Sequence, residues 1–274
     1  MSDGAGFPPF ACVTIVGVGL MGGSLGLALK ARGLAQRVVG VDTNAQSLAQ
    51  AQDWGVVDSG ATDLADGVRE ADLVAVAAPV GVIPALLEGI SAAARPDALV
   101  TDLGSTKGRI VAAGSRLFGP RFVGGHPMAG GVESGAGAAR ADLFAGAAWL
   151  IVRAEPFILE QDPFASRLAA LVAALGARPL PMEATCHDRL AALVSHLPHA
   201  LSFAFARTVA ASEDAALARE MAGGSYRDLM RVAAADPTLW QGIFRDNQDA
   251  LLAALIAFET HLRDLKRSIE NTRD

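Results

Sequence analysis

The sequence predicts an α/β half built on a doubly wound parallel sheet, followed by an all-α half. Three observations predict it. Short apolar, β-branched runs alternate with helix-like runs through the first half of the chain, the pattern of a parallel sheet covered by helices. Runs such as residues 73–78 are continuously apolar, which calls for burial on both faces. From Thr185 onward only helical patterning remains.

Taken in order, residues 12–18 read as the first strand and residues 22–32 as a helix of small apolar residues. Residues 37–42 follow as a strand, 46–53 as a helix, and a weak third strand is expected near Val56 and Val57. Residues 71–78, 98–103, 121–125 and 149–152 supply further strands, with a helix over 107–117. Glu155-Pro156 and Asp162-Pro163 then punctuate a linker, so the domains are expected to be 1–155 and 156–274. Asp162 suits an N-cap and Pro163 the first helical position. A helix to Leu175 and a short strand over 178–181 are expected next. Asp236-Pro237 repeats the cap-plus-proline signature, and 247–267 reads as a long amphipathic helix.

Composition limits the function classes. At 274 residues and ~150 residues per domain, two domains are expected. Hydrophobic residues are 51% and charged residues 19%, which excludes general disorder. The mean hydropathy of +0.34 owes much to alanine. The longest apolar stretch, residues 73–87, contains Pro79 and Pro84 and is shorter than the ~20 residues of a spanning helix. No basic n-region opens the chain, so no secretory signal is expected. The net charge is −6 and no Lys/Arg cluster occurs, so neither nucleic acid nor membrane is an expected partner. Cys12 and Cys186 make no disulfide framework, and a reducing cytoplasm is the expected location.

Gly17-Val18-Gly19-Leu20-Met21-Gly22 fits G-x-G-x-x-G between a strand and a helix. Gly17 allows the tight turn, Gly19 lets backbone approach a pyrophosphate, and Gly22 lets helix and strand pack closely. The expected acid follows as Asp42, suited to ribose hydroxyls and repulsive to a 2′-phosphate. Thr43 and Asn44 stand where an NADP site would want a basic residue. A Rossmann-like domain binding NAD is therefore expected. Leu20, Met21 and Pro79 complete the cofactor set.

Two loops at the carboxyl ends of later strands carry polar residues: Asp102-Leu103-Gly104-Ser105-Thr106-Lys107 and Gly124-Gly125-His126-Pro127-Met128-Ala129-Gly130. Ligands of open α/β sheets bind at that edge, and a loop histidine there suits a general base. Ser105 or Thr106 could instead merely cap the next helix. In the helical half, Ser195-His196-Leu197-Pro198-His199 pairs two histidines, but Pro198 and the lack of an acidic partner argue against a metal. Cys186-His187-Asp188 is discounted as a nucleophile set, because adjacent helical residues point apart. Arg231 could clamp a carboxylate, with Asp228 fixing it or merely forming a solvated pair.

Together these stretches resemble the prephenate dehydrogenase family, the arogenate and cyclohexadienyl dehydrogenases of tyrosine biosynthesis. The resemblance covers nearly the whole chain and rests on the order and spacing of modest motifs. It implies NAD-linked oxidative decarboxylation of prephenate to 4-hydroxyphenylpyruvate, or the same reaction on arogenate. His126 matches the histidine that hydrogen-bonds the ring hydroxyl, and Ser105 the serine that orients it and the nicotinamide. His196 matches a substrate-pocket histidine, Arg231 the carboxylate-binding arginine, Trp240 a pocket tryptophan and Asp228 the acid supporting the arginine. Many relatives carry an acid one place earlier than Glu133, so Glu133 is left outside the set. A homodimer through the helical domain is implied, and no chorismate mutase or ACT module is expected.

Two rival readings exist. The β-hydroxyacid dehydrogenases resemble the first half but use a second-domain lysine, and here only Lys30, Lys107 and Lys266 occur. A non-catalytic NAD sensor would not need His126, Ser105 and Arg231 together.

Overall fold

The computed structural model describes residues 7–131 and 135–272. They form two compact units, one ending at His187 and one starting at Asp188. The chain begins β1 (Phe10–Val16), α1 (Leu20–Ala31), β2 (Ala35–Val41), α2 (Ala45–Asp53), β3 (Ser59–Ala61), α3 (Leu64–Val68) and β4 (Leu73–Val76). It continues α4 (Ile83–Ala93), β5 (Leu99–Asp102), α5 (Gly108–Phe118), β6 (Phe122–Pro127), β7 (Ala148–Arg153), α6 (Pro163–Ala174) and β8 (Arg178–Glu183). The strands form one sheet in the order β3-β2-β1-β4-β5-β6-β7-β8. The first six are mutually parallel. This is the doubly wound order, with its direction of build-up reversing between β1 and β4.

The central strands are buried along their length, as a sheet covered on both faces requires. Side chains alternate across β1. Val13 and Ile15 join Leu25 and Leu29 of α1 and Leu168 and Val172 of α6 in one core. Thr14 points the other way, where its hydroxyl donates to the Gly67 carbonyl of α3 at 2.7 Å.

Several expectations need correction. The sheet is not wholly parallel: β7 runs antiparallel to β6, and β8 is parallel to β7. Val56 and Val57 are buried but precede β3; their N–H groups both meet the Ala51 carbonyl at the end of α2. Two helices were hidden in the sequence, α3 and α4. The first is only one turn long, and the second carries Pro84 in its first turn, where a proline is tolerated. His126 belongs to β6 itself, not to a loop beyond it.

The first compact unit runs through this stretch to His187. Arg153 grips both carboxylate oxygens of Asp162 at 2.7 and 2.8 Å and donates to the Pro120 carbonyl at 3.0 Å. The punctuated stretch is therefore a tight return. It brings α6 back onto the sheet and lets β8 pair with β7 across six residue pairs.

Helix α7 (Ala184–Ala191) crosses the division. A π-turn (Ala192–His196) then leads into α8 (Leu197–Ala210), α9 (Ala215–Glu220), α10 (Gly224–Ala233), α11 (Pro237–Asp246) and α12 (Gln248–Asn271). Pro198 lies in the first turn of α8 and cannot donate a backbone hydrogen bond. The wide turn just before it is the usual accommodation. Among the described residues, no helix is long and apolar enough to cross a membrane.

The carboxyl end of β5 is pinned by a buried ion pair. Asp102 and Lys107 are both fully buried, and the Lys107 ammonium meets Asp102 Oδ2. The same carboxylate accepts the N–H of Gly104 at 2.8 Å and that of Gly125, on β6, at 3.2 Å. A buried carboxylate is tolerable only when so satisfied. Lys107→Met keeps the volume but strands the Asp102 charge, and a loss of about 3–5 kcal/mol is expected. Urea denaturation read by circular dichroism checks this; an unchanged midpoint would refute it.

Candidate active site

The residues expected to hold a dinucleotide gather at one sheet edge. β1 ends at Val16, and Gly17 turns the chain with φ +96°, a conformation that favours glycine. A Cβ on Gly17 would lie 2.4 Å from the Ala77 carbonyl oxygen just past β4. A Cβ on Gly22 would lie 1.9 Å from the Gly17 carbonyl oxygen. Neither position admits a larger residue. Gly19 differs: it caps α1, and a Cβ there would meet nothing within 4 Å. The N-cap glycine has no side chain to engage the first N–H groups of α1, and no acid lies in its first turn. That is the form of an anion-binding helix start. Leu20 and Met21 form the half-buried first turn.

Asp42 follows β2. Its carboxylate accepts from the N–H of Val18 at 3.3 Å and of Asn44 at 3.0 Å, which fixes it beside the glycine turn. The Asn44 side chain is itself engaged in capping α2, accepting from Gln46 and Ser47. Pro79 is exposed just past β4 and opens a short 3-10 turn. The open Gly19 cradle, the uncapped helix start and the acid suit a dinucleotide with a free ribose diol.

Further along the same edge lie Ser105 and His126. Ser105 is half-buried in the β5–α5 loop. α5 starts at Gly108, and its N-cap residue is Lys107. His126 is 7% exposed near the end of β6. Its Nδ1 lies 2.8 Å from Nε2 of His187, which is fully buried on α7. Sequence reasoning missed this partner. It had singled out Cys186-His187-Asp188 and discounted it as a local nucleophile set; the contact with His126 reaches across 61 residues. Glu133 lies outside the described residues.

The helical unit holds its own cluster. His196 is fully buried, with Nδ1 3.2 Å from the amide nitrogen of Asn247; the same nitrogen donates to the Asp188 carbonyl at 2.8 Å. His199 is half-buried and stacks on Trp240, ring centroids 3.5 Å apart. Its Nδ1 donates to the Ser195 carbonyl at 2.9 Å. Burial holds the His199 imidazole below the ordinary histidine range, opposed in part by that hydrogen bond. Of the two histidines, His199 is therefore the more accessible, whereas the expectation had rested on His196. Trp240 is 9% exposed.

Asp228 and Arg231 are exposed on α10, and no ion pair joins them among the described residues. The described residues hold no group of three or more His, Cys, Asp or Glu side chains able to bind a metal ion.

Comparison with known proteins agrees with this geometry. Residues 25–159 match the family model described as prephenate dehydrogenase, nucleotide-binding domain, and residues 183–274 the prephenate dehydrogenase dimerization domain. Prephenate dehydrogenase of Bacillus subtilis is 32% identical over 88% of this chain, which spans 65% of that protein. Cyclohexadienyl dehydrogenase of Zymomonas mobilis is 32% identical over 95% of this chain and 89% of its own length. The crystal structure of Aquifex aeolicus prephenate dehydrogenase with hydroxyphenyl propionate and NAD+ is 33% identical, with TM-score 0.85 over 95% of this chain and 91% of that one. From the glycine turn to the helical unit, the chain belongs to the prephenate dehydrogenase family.

Proposed function

We propose that this chain oxidises prephenate with NAD and loss of carbon dioxide, giving 4-hydroxyphenylpyruvate for tyrosine synthesis. One observation carries the reading. The Gly17 turn, Asp42, Pro79, Ser105 and His126 follow β1, β2, β4, β5 and β6, or end them, along one sheet edge. That edge is where open α/β sheets bind ligands. The Aquifex aeolicus relative binds NAD+ and hydroxyphenyl propionate; the latter is a phenol bearing a carboxylate, as the proposed product is. The Zymomonas mobilis relative keeps a second reading in view, arogenate or dual specificity.

Gly17, Gly19, Leu20, Met21 and Gly22 would hold the pyrophosphate, Asp42 the adenosine ribose and Pro79 the wall of the site. NAD, when bound, supplies the hydride acceptor. His126 takes the proton of the ring hydroxyl as that carbon is oxidised, and Ser105 orients the group. Aromatisation on loss of carbon dioxide drives the reaction, so the protein mainly positions and polarises. Arg231 offers a planar fork for a substrate carboxylate. No protein acceptor engages it among the described residues. Trp240, the neighbouring histidines and Asp228 complete the substrate set.

Leu252, Ile256, Leu262, Leu265 and Ile269 are large apolar side chains exposed along α12, and clustered exposed apolar surface marks interaction sites. We assign that surface to a homodimer, in keeping with the dimerization model that matches this half. The acidic chain and its two free cysteines suit a reducing cytoplasm.

NADH formation, with prephenate and arogenate compared side by side, tests the reaction. His126→Asn is expected to lower kcat by about 10²–10⁴-fold with little change in KM. Arg231→Ala should instead raise KM, by an amount matching the about 1.5–3 kcal/mol of a hydrogen bond to a charged group. A near-normal rate for His126→Asn would refute the base. Because Asp42 repels a 2′-phosphate, NAD should support faster turnover than NADP; equal rates would remove that preference. Sedimentation should give twice the 28.1 kDa chain mass, and a stable monomer would remove the dimer.

A further inference from the structure

His187 is fully buried, and the reaction as described gives it no task. Its Nε2 lies 2.8 Å from Nδ1 of His126, and the two rings are tilted by 56° with centroids 5.0 Å apart. That is a hydrogen bond between ring nitrogens, not a stack. One ring must donate and the other accept. The heavy atoms allow either direction; the chemistry selects one. A neutral His126 can accept a proton at Nε2 only if its own proton sits on Nδ1. That proton must then be donated to Nε2 of His187, which accepts as a neutral ring.

We propose that His187 is the positioning residue of this site, fixing the tautomer of His126 in which Nε2 is the basic atom. The inference rests on the reading of His126 as the base. In the step itself the substrate O–H bond breaks and the His126 Nε2–H bond forms. The Nδ1–H bond is kept, and its donation to His187 strengthens as the His126 ring becomes cationic. His187 undergoes no net change. Nearby, Asp102 and Lys107 form a buried ion pair, and the Lys107 chain packs under β6, its Cδ 3.3 Å from where a Gly124 Cβ would sit. Sequence position gives the arrangement a further logic. β6 fixes the His126 backbone, and α7, following β8, brings up the acceptor.

The test combines kinetics with spectroscopy on the full-length protein. His187→Leu removes the acceptor; His187→Gln returns one through its amide oxygen. His187→Leu should lower kcat by about 10²-fold, the lower end of what a base contributes, with KM within about twofold. His187→Gln should recover most of that loss. Long-range ¹H–¹⁵N spectra should find His126 protonated on Nδ1 in the parent protein and in His187→Gln, and as mixed tautomers in His187→Leu. If His187→Leu does not fold, His187→Asn, too short to reach Nδ1, takes its place. Unchanged kcat and an unchanged His126 tautomer in these variants would overturn the proposal. That result, with His126→Asn inactive, would leave the base standing and remove only the positioning role. An active His126→Asn would remove both.

Discussion

The Asp102–Lys107 pair is the constraint on which the carboxyl edge of the sheet at β5 and β6 depends. Both groups lie wholly inside the protein, where an uncompensated charge is costly. The carboxylate is satisfied only when three donors converge: the Lys107 ammonium, the Gly104 N–H and the Gly125 N–H. Those donors come from the start of α5, the loop carrying Ser105, and the strand carrying His126. Satisfying one buried acid therefore fixes the relative placement of three segments. A hydrophobic pair of the same size could fill the space but would set no such register.

The nucleotide edge is held by exclusion instead. Gly17 and Gly22 sit where any Cβ would strike backbone, while Gly19 faces open space. The two tight positions bring β1, α1 and the end of β4 together, and the open one leaves helix N–H groups available to an anion. Asp42 is then tied to the same turn by hydrogen bonds from Val18 and Asn44. The result is a preorganised set of donors and one acceptor at the point where the sheet reverses its direction of growth.

The helical unit organises its polar groups around Asn247. A single amide nitrogen serves the Asp188 carbonyl and His196, joining the start of the unit, the π-turn and the α11–α12 junction. That leaves His199, stacked on Trp240, as the more accessible ring of the pair. Pro198 creates this division of labour. By interrupting the hydrogen-bond ladder it forces the wide turn ahead of α8, which sets the two histidines in different surroundings.

The sequence by itself determined much of this protein. Strand–helix alternation, continuous apolar strands and the glycine motif with its following acid are local signals, because each reflects short-range sterics and burial periodicity. They suffice for the doubly wound sheet, the nucleotide turn and the helical second half. The short α3 and the proline-bearing α4 escaped because one turn leaves no period to detect and Pro84 reads as a breaker. The antiparallel β7 escaped because patterning records burial, not strand direction. Tertiary structure alone decided the rest. The His126–His187 contact joins residues 61 apart, the Asp102 carboxylate spans two strands, and the different burial of His196 and His199 follows from the packing around them. The reason is physical: spacing along a chain fixes which residues share a helix or a strand face, but partners across elements are chosen only when the elements pack.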